Sequence, residues 1–227
     1  MADPRLIAAL DLPAIADAEA MTARLGDAVS HYKIGLQLLP VGGMALAAAL
    51  KSRGHEVFLD FKLHDIPATV EKATRSITGA GADLLTVHAE PPVMRAAHEG
   101  RKGSDLKLLG VTVLTAYDDA MLAEMGYAMG ARELVMRRVG QALDCGMDGV
   151  VASPQEAAEI RARYGDGFLI VTPGVRPAGA DMGDQKRVAT PAEALKAGAS
   201  HLVVGRPITA APDPRAAALE IAGEMAG

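Results

Sequence analysis

Eight short β-rich runs alternate with alanine-rich amphipathic stretches, and no other feature of this chain constrains its fold as much. The strand-like runs are RLIAALD (5–11), HYKIGL (31–36), HEVFLDFK (55–62), DLLTVHA (83–89), LKLLGVTVLT (106–115), DGVVAS (148–153), GFLIVTP (167–173) and SHLVVGR (200–206). Helical patterning falls between them, as in Asp17–Arg24, Val41–Ser52, Thr69–Gly79 and Glu133–Leu143, with Gly54, Gly100 and Gly146 at helix ends. Strands separated by helices and short connections form parallel βα units. Eight such units in 227 residues, with no composition break, predict one α/β domain over 1–227, a (β/α)8 TIM barrel. An open doubly wound sheet is the alternative arrangement.

Composition narrows the function classes. The net charge is −5, aromatics make up 3% of the chain, and no block of Lys or Arg occurs, so a nucleic-acid surface is not expected. The single cysteine, Cys145, can form no internal disulfide and fits a reducing cytoplasm. The start, MADPRLIAAL, has one Arg and an apolar run broken at Asp11, unlike a signal peptide. Apolar runs stop well short of the ~18 residues of a spanning helix, so no membrane partner is expected.

Within LDFKLHDIPATV (59–70), Asp60, Lys62, His64 and Asp65 crowd into a segment whose neighbours look like a buried strand. Side chains alternate across a strand, so Phe58, Asp60 and Lys62 share one face while Val57, Leu59 and Phe61 share the other. The apolar triplet belongs against the outer helices, which turns Asp60 and Lys62 toward the barrel axis. The same alternation groups Ile7, Ala9 and Asp11, and turns Lys33 inward with Gly35. Asp11, Lys33, Asp60 and Lys62 therefore converge at the C-terminal ends of three strands, where barrel enzymes keep their chemistry. Buried ion pairs are poor stabilisers once desolvation is counted, so four charges there indicate a site rather than a structural layer. Asp65 lies beyond the strand, and its position alone fits a helix-start carboxylate as well as a functional one. Gly205-Arg206 follows the last strand, a common phosphate position in barrels. Pro173–Pro191 is long and Gly-rich, as lids or disordered loops are. His64 is expected to point away from the mouth, and His88 to support the site. The eleven Met residues are expected to fill the core.

These segments together resemble the orotidine 5′-phosphate decarboxylase family. DFKLHDIPATV carries its D-x-K-x-x-D signature, and ALD, KIGL, VTVLT, TPGVRPAG…DQKRVATP and VVGRPIT extend the likeness over most of the chain. The resemblance implies a homodimeric barrel that decarboxylates orotidine 5′-phosphate to UMP, the last step of de novo pyrimidine nucleotide synthesis, with neither metal nor organic cofactor. It implies an array of Lys33, Asp60 and Lys62 from one subunit and Asp65 from the other, with Lys62 as proton donor to C6. Asp11 and Lys33 would hold ribose hydroxyls, and Thr69 would reach the 2′-hydroxyl from the partner. Thr115 would bond the pyrimidine amide edge, and Arg176, Gln185, Gly205 and Arg206 would serve the phosphate side. HAEPPVM replaces a more Gly-rich turn of the family, and Ala116 stands where Ser is frequent. Metal-dependent sugar-phosphate decarboxylases and aldolases share the signature but carry an acidic metal ligand at the end of strand 2, where this chain has Lys33. A non-catalytic nucleotide-binding barrel would be expected to lack Lys62 or one of the Asp residues.

Overall fold

The computed structural model describes residues 2–177 and 189–226. Its eight strands are β1 (Leu6–Ala9), β2 (His31–Gly35), β3 (Glu56–Leu63), β4 (Leu84–His88), β5 (Lys107–Val111), β6 (Gly149–Val151), β7 (Leu169–Thr172) and β8 (His201–Val204). All pair in parallel and in sequence order, and β1 closes the ring by pairing with β8 at Ala8↔Val204 as well as with β2 at Ala8↔Tyr32. That closure excludes the open sheet.

Helices follow the strands: α1 (Ile15–Leu25), α2 (Gly43–Ser52), α3 (Pro67–Thr78), α4 (Pro91–Gly100), α5 (Asp119–Glu124), α6 (Ala131–Asp144), α7 (Pro154–Tyr164), α8 (Pro191–Lys196), α9 (Arg206–Thr209) and α10 (Pro214–Ala226). The starts are chemically marked. Proline opens α3, α4, α7 and α8, where its missing N–H would have no helical partner anyway. Ser153 and Asp118 cap α7 and α5 through their side chains, and Thr190 with Glu193 forms a capping box on α8. Helix α2 begins two residues later than the pattern suggests, because Leu39–Val41 makes a 3-10 turn and Gly42 adopts φ 119°.

The alternation expected from the sequence divides the core into two layers. Ile7, Ala9, Phe58, Leu84, Leu109, Val171 and Val203 fill the barrel. Leu6, Ala8, Tyr32, Ile34, Val57, Leu59 and their outward neighbours pack against the helices. Full burial of a large apolar side chain contributes about 1.5–3 kcal/mol, so this double patterning gives the barrel a firm register. A one-residue slip in β3 would exchange Phe58 with Leu59 and swing Asp60 out of the mouth.

Candidate active site

The sequence places acids and lysines at strand ends, and the fold brings four of them into one chain of contacts. Lys33 Nζ donates to Asp11 Oδ1 at 3.0 Å and to Oδ2 at 3.2 Å. It also lies 3.4 Å from Asp60 Oδ2, while Lys62 Nζ lies 2.9 Å from Asp60 Oδ1. The signs alternate: Asp11, Lys33, Asp60, Lys62. Gly35 is part of this construction, since a Cβ there would stand 2.7 Å from Asp11 Oδ1 and 3.0 Å from Lys33 Nζ.

Burial grades the array. Side-chain exposure falls from 49% at Asp11 to 14% at Asp60 and 8% at Lys33, whereas Lys62 keeps 25%. Burial is the largest influence on the Asp60 carboxyl and pushes its pKa up. The charges of Lys33 and Lys62, with hydrogen bonds from Lys62 and Thr86, outweigh it and hold the group below the ordinary carboxylate range. Asp60 is thus a fixed anion between two cations, and Lys62 is the cation that reaches open space.

Strand β3 does not reach Lys62 by simple alternation. Its pairing with β4 shifts between Leu59↔Leu85 and Leu63↔Val87, so Asp60, Phe61 and Lys62 stand opposite Thr86 alone. Among the described residues, Lys62 is the only non-glycine with positive φ, at 49°. Bulges and left-handed residues of this kind gather at functional sites, where they re-aim a side chain. Thr86, wholly buried, accepts the Lys62 backbone N–H at 3.0 Å and donates to Asp60 Oδ1 at 2.9 Å. It escaped the sequence reasoning, although Leu84, Thr86 and His88 share the inward face of DLLTVHA.

The array forms one wall of a cavity of about 720 Å³. Apolar side chains such as Phe58, Val111, Val113 and Val203 line its depth, and Thr115, Arg176, Gly205 and Arg206 reach it from the ends of β5, β7 and β8. Arg138 on α6 donates to the Thr112 carbonyl and, at 3.0 Å, to Tyr127 Oη, anchoring the segment that carries Thr115. The strand expected over 106–115 leaves the ladder after Val111, and this segment forms the rim instead. Leu36 and Gln37, just after β2, also line the cavity and carried no signal in the sequence. A hollow of about 970 Å³ among α5, α6 and α7 is larger, but Asp11, Lys33, Asp60 and Lys62 do not line it.

Two expected site residues are described and do not line this cavity. Asp65 is exposed just before α3 and Thr69 in its first turn, and Asp65 Oδ1 accepts the N–H of Ile66 at 2.6 Å. Gln185, with most of the 173–191 loop, lies outside the described residues. His64 is exposed as expected, with Nε2 3.1 Å from Glu90 Oε2 and its ring 4.9 Å from that of His88. His88 sits beside that pair rather than in the cavity lining; burial, then His64, lowers its pKa. Among the described residues, no group of three His, Cys, Asp or Glu could hold a metal ion.

A parallel (β/α)8 barrel with an alternating lysine–aspartate array at its C-terminal mouth defines a barrel of the enzyme type, with its site built on charged side chains. Comparison with known proteins makes the assignment specific. The profile of the orotidine 5′-phosphate decarboxylase / HUMPS family matches residues 4–221. The chain is 64% identical over 226 residues to orotidine 5′-phosphate decarboxylase of Caulobacter sp. (strain K31), covering 100% of this chain and 99% of that protein. It is 56% identical over 232 residues to the orotidine 5′-phosphate decarboxylase of Rhodopseudomonas palustris (strain BisA53), with 100% and 99% covered. The crystal structure of orotidine 5′-phosphate decarboxylase from Lactobacillus acidophilus superposes with a TM-score of 0.87 at 36% identity, covering 99% of this chain and 100% of that one. The chain belongs to the orotidine 5′-phosphate decarboxylase / HUMPS family, and within it to the orotidine 5′-phosphate decarboxylases.

Proposed function

We propose that the cavity converts orotidine 5′-phosphate to UMP and CO2, with Lys62 as the proton donor. The observation that carries this assignment is the Lys62 ammonium, held 2.9 Å from Asp60 Oδ1 yet open to the cavity. When the C6 carboxylate leaves as CO2, the bonding electron pair stays on C6 in an orbital of the ring plane, poorly delocalised. A preorganised cation in a largely apolar cavity stabilises that charge as it develops. Lys62 then transfers a proton to C6, and the resulting amine regains one from solvent. Asp60, in contact with both lysines, keeps Lys62 and Lys33 aimed throughout.

Asp11 and Lys33 hold ribose hydroxyls, and Thr115 meets the amide edge of the pyrimidine. Arg176, Gln185, Gly205 and Arg206 grip the phosphate, and that remote binding energy serves to orient and desolvate the reacting end. The metal-dependent sugar-phosphate alternative is not favoured: a lysine, Lys33, occupies the position where it needs a metal-binding acid.

The working unit in this proposal is a homodimer whose sites are shared. Asp65 and Thr69 lie outside their own chain's cavity, on an exposed stretch where Ile66 is 67% exposed. An isologous contact over that stretch carries each Asp65 and Thr69 into the neighbour's mouth and covers Ile66. A cytoplasmic setting fits the free Cys145, and no described helix is long and apolar enough to cross a membrane.

Subunit mixing tests the shared site. Lys62→Ala and Asp65→Ala proteins are each expected to be nearly inactive. In a hybrid dimer one site receives both defects and the other neither, so equal random exchange restores about a quarter of wild-type activity. Verified exchange without recovery would mean that Asp65 acts in its own subunit.

A further inference from the structure

A ring of hydrogen bonds begins and ends on Lys62, and it passes through one hydroxyl to which no role has been assigned. The Lys62 backbone N–H donates to Thr86 Oγ1 at 3.0 Å. Thr86 Oγ1 donates onward to Asp60 Oδ1 at 2.9 Å, and the same Oδ1 lies 2.9 Å from Lys62 Nζ. We propose that Thr86 is a positioning residue that fixes the Lys62 ammonium relative to its own backbone by closing this ring. The inference rests on Lys62 being the proton donor, as proposed above.

Three features make the hydroxyl more than packing. Thr86 is the one residue of β4 opposite Asp60, Phe61 and Lys62, so the bulge leaves the Lys62 N–H no regular backbone acceptor on that strand. A buried N–H without a partner is destabilising by roughly 1–3 kcal/mol, and the Thr86 oxygen removes that penalty at a residue already strained at φ 49°. Second, a hydroxyl has a single proton. With its oxygen accepting from Lys62, that proton points at Asp60, and the polarity of the ring is fixed. Third, the ring uses Asp60 Oδ1 and leaves Oδ2 toward Lys33, 3.4 Å away, so the two lysines do not compete for one oxygen. A lysine chain has four side-chain torsions, and anchoring both its ends to the same Thr–Asp pair narrows where the ammonium can sit.

The test compares Thr86→Val, which keeps shape and removes the hydroxyl, with Thr86→Ser, which keeps the hydroxyl. Turnover of orotidine 5′-phosphate and its pH profile are measured for both, beside Lys62→Ala. Thr86→Val is expected to lose about 10- to 100-fold in kcat, the scale of a misplaced reacting group, with KM changed by less than about threefold. Its acid limb should also move to higher pH. Asp60, which faces Lys33 and Lys62 with Asp11 behind Lys33, loses a hydrogen bond that favours its charged form. Thr86→Ser should restore both kcat and the acid limb. Thr86→Ala carries the same expectation as Thr86→Val and stands in for it should the valine protein not fold. A folded Thr86→Val or Thr86→Ala enzyme at wild-type kcat with an unmoved acid limb overturns the inference, as does a serine variant as impaired as the valine one. If Lys62→Ala itself turns over substrate, the proton-donor assignment fails instead.

Discussion

The two mouths of this barrel carry similar residue types and treat them in opposite ways. At the C-terminal mouth, Asp60 is buried between two lysines, and their attraction overrides the burial that would neutralise it. At the N-terminal mouth, His31 is 2% exposed and stands 3.2 Å from Glu56 Oε2, yet Glu56 is 52% exposed and neither imidazole nitrogen makes a well-formed hydrogen bond. Burial wins there and pushes His31 down to about 4, and it lowers the nearby His201 as well. Elsewhere at the floor, ionised groups stay near water or serve the backbone. Asp83 accepts from Lys51 Nζ at 2.7 Å and from the Val57 N–H at 2.7 Å, and Asp148 accepts from Arg101 and from the Leu108 N–H. The difference teaches where this fold tolerates buried charge. At the C-terminal mouth, ions stay dry in alternating contact, whereas the floor spreads or neutralises the groups that hold its strands.

Lys62→Ala is the strongest blow to that contrast and carries the largest expected effect. Loss of the proposed proton donor, and of the cation nearest Asp60, should lower kcat by about 10⁴-fold or more, read from the ultraviolet absorbance of orotidine 5′-phosphate. The barrel should still fold, because Asp60 keeps Lys33 and Thr86 as partners. A variant retaining a substantial share of turnover would place the chemistry elsewhere. One that failed to fold would make the array a structural layer like the floor.

The contrast also explains what the sequence disclosed. Strand–helix alternation and the inward sets Ile7–Ala9–Asp11 and Phe58–Asp60 were legible, because burial imposes a period of two that few substitutions can hide. The same period turns Lys62 inward, but it stands at the mouth by way of the bulge. The charges were legible for the same reason, standing out against apolar neighbours at strand ends. Thr86 was not, since threonine is ordinary in a strand and nothing in LDFKL marks a bulge; a glycine would have done so, and Lys62 takes the left-handed conformation instead. Helices α5 and α9 have six and four residues, too few for a helical period to register. Nor could spacing decide whether Asp65 is a helix-start carboxylate or a functional one, because a residue beyond the strand end is no longer held to the alternation.

Arg206 sharpens the comparison within the upper mouth itself, between gripping and reacting. It is exposed at the start of α9 on the cavity rim, away from the Asp60–Lys62 pair. Arg206→Ala should weaken binding of the phosphorylated substrate by roughly 2–4 kcal/mol, seen mainly in kcat/KM. The unphosphorylated nucleoside should react poorly with the wild type and scarcely worse with the variant. A large further loss on the nucleoside would assign Arg206 work at the reacting end.

The floor supplies the smallest effect, and its sign follows from the histidine. His31 carries a pKa of about 4 in the fold against an ordinary 6.5, mainly through burial, then through His201. Asp83 and the Pro4 carbonyl act to raise it and Lys51 to lower it, while Glu56 lies alongside, largely in water. A base depressed by folding is protonated first in the unfolded chain. Its contribution to stability is therefore intact above about pH 6.5 and declines as pH falls toward 4, by about 1–3 kcal/mol in total. His31→Leu should remove this part of the acid sensitivity, so that denaturant midpoints of variant and wild type converge or cross between pH 6.5 and pH 4. Turnover at neutral pH should be unchanged, because the site lies at the other end of the barrel. If His31→Leu left the slope of stability against pH as steep as before, the imidazole would not be the group that titrates. If it instead cut kcat at neutral pH while stability held, the two mouths would be coupled through the barrel interior, and the division of labour between them would fail.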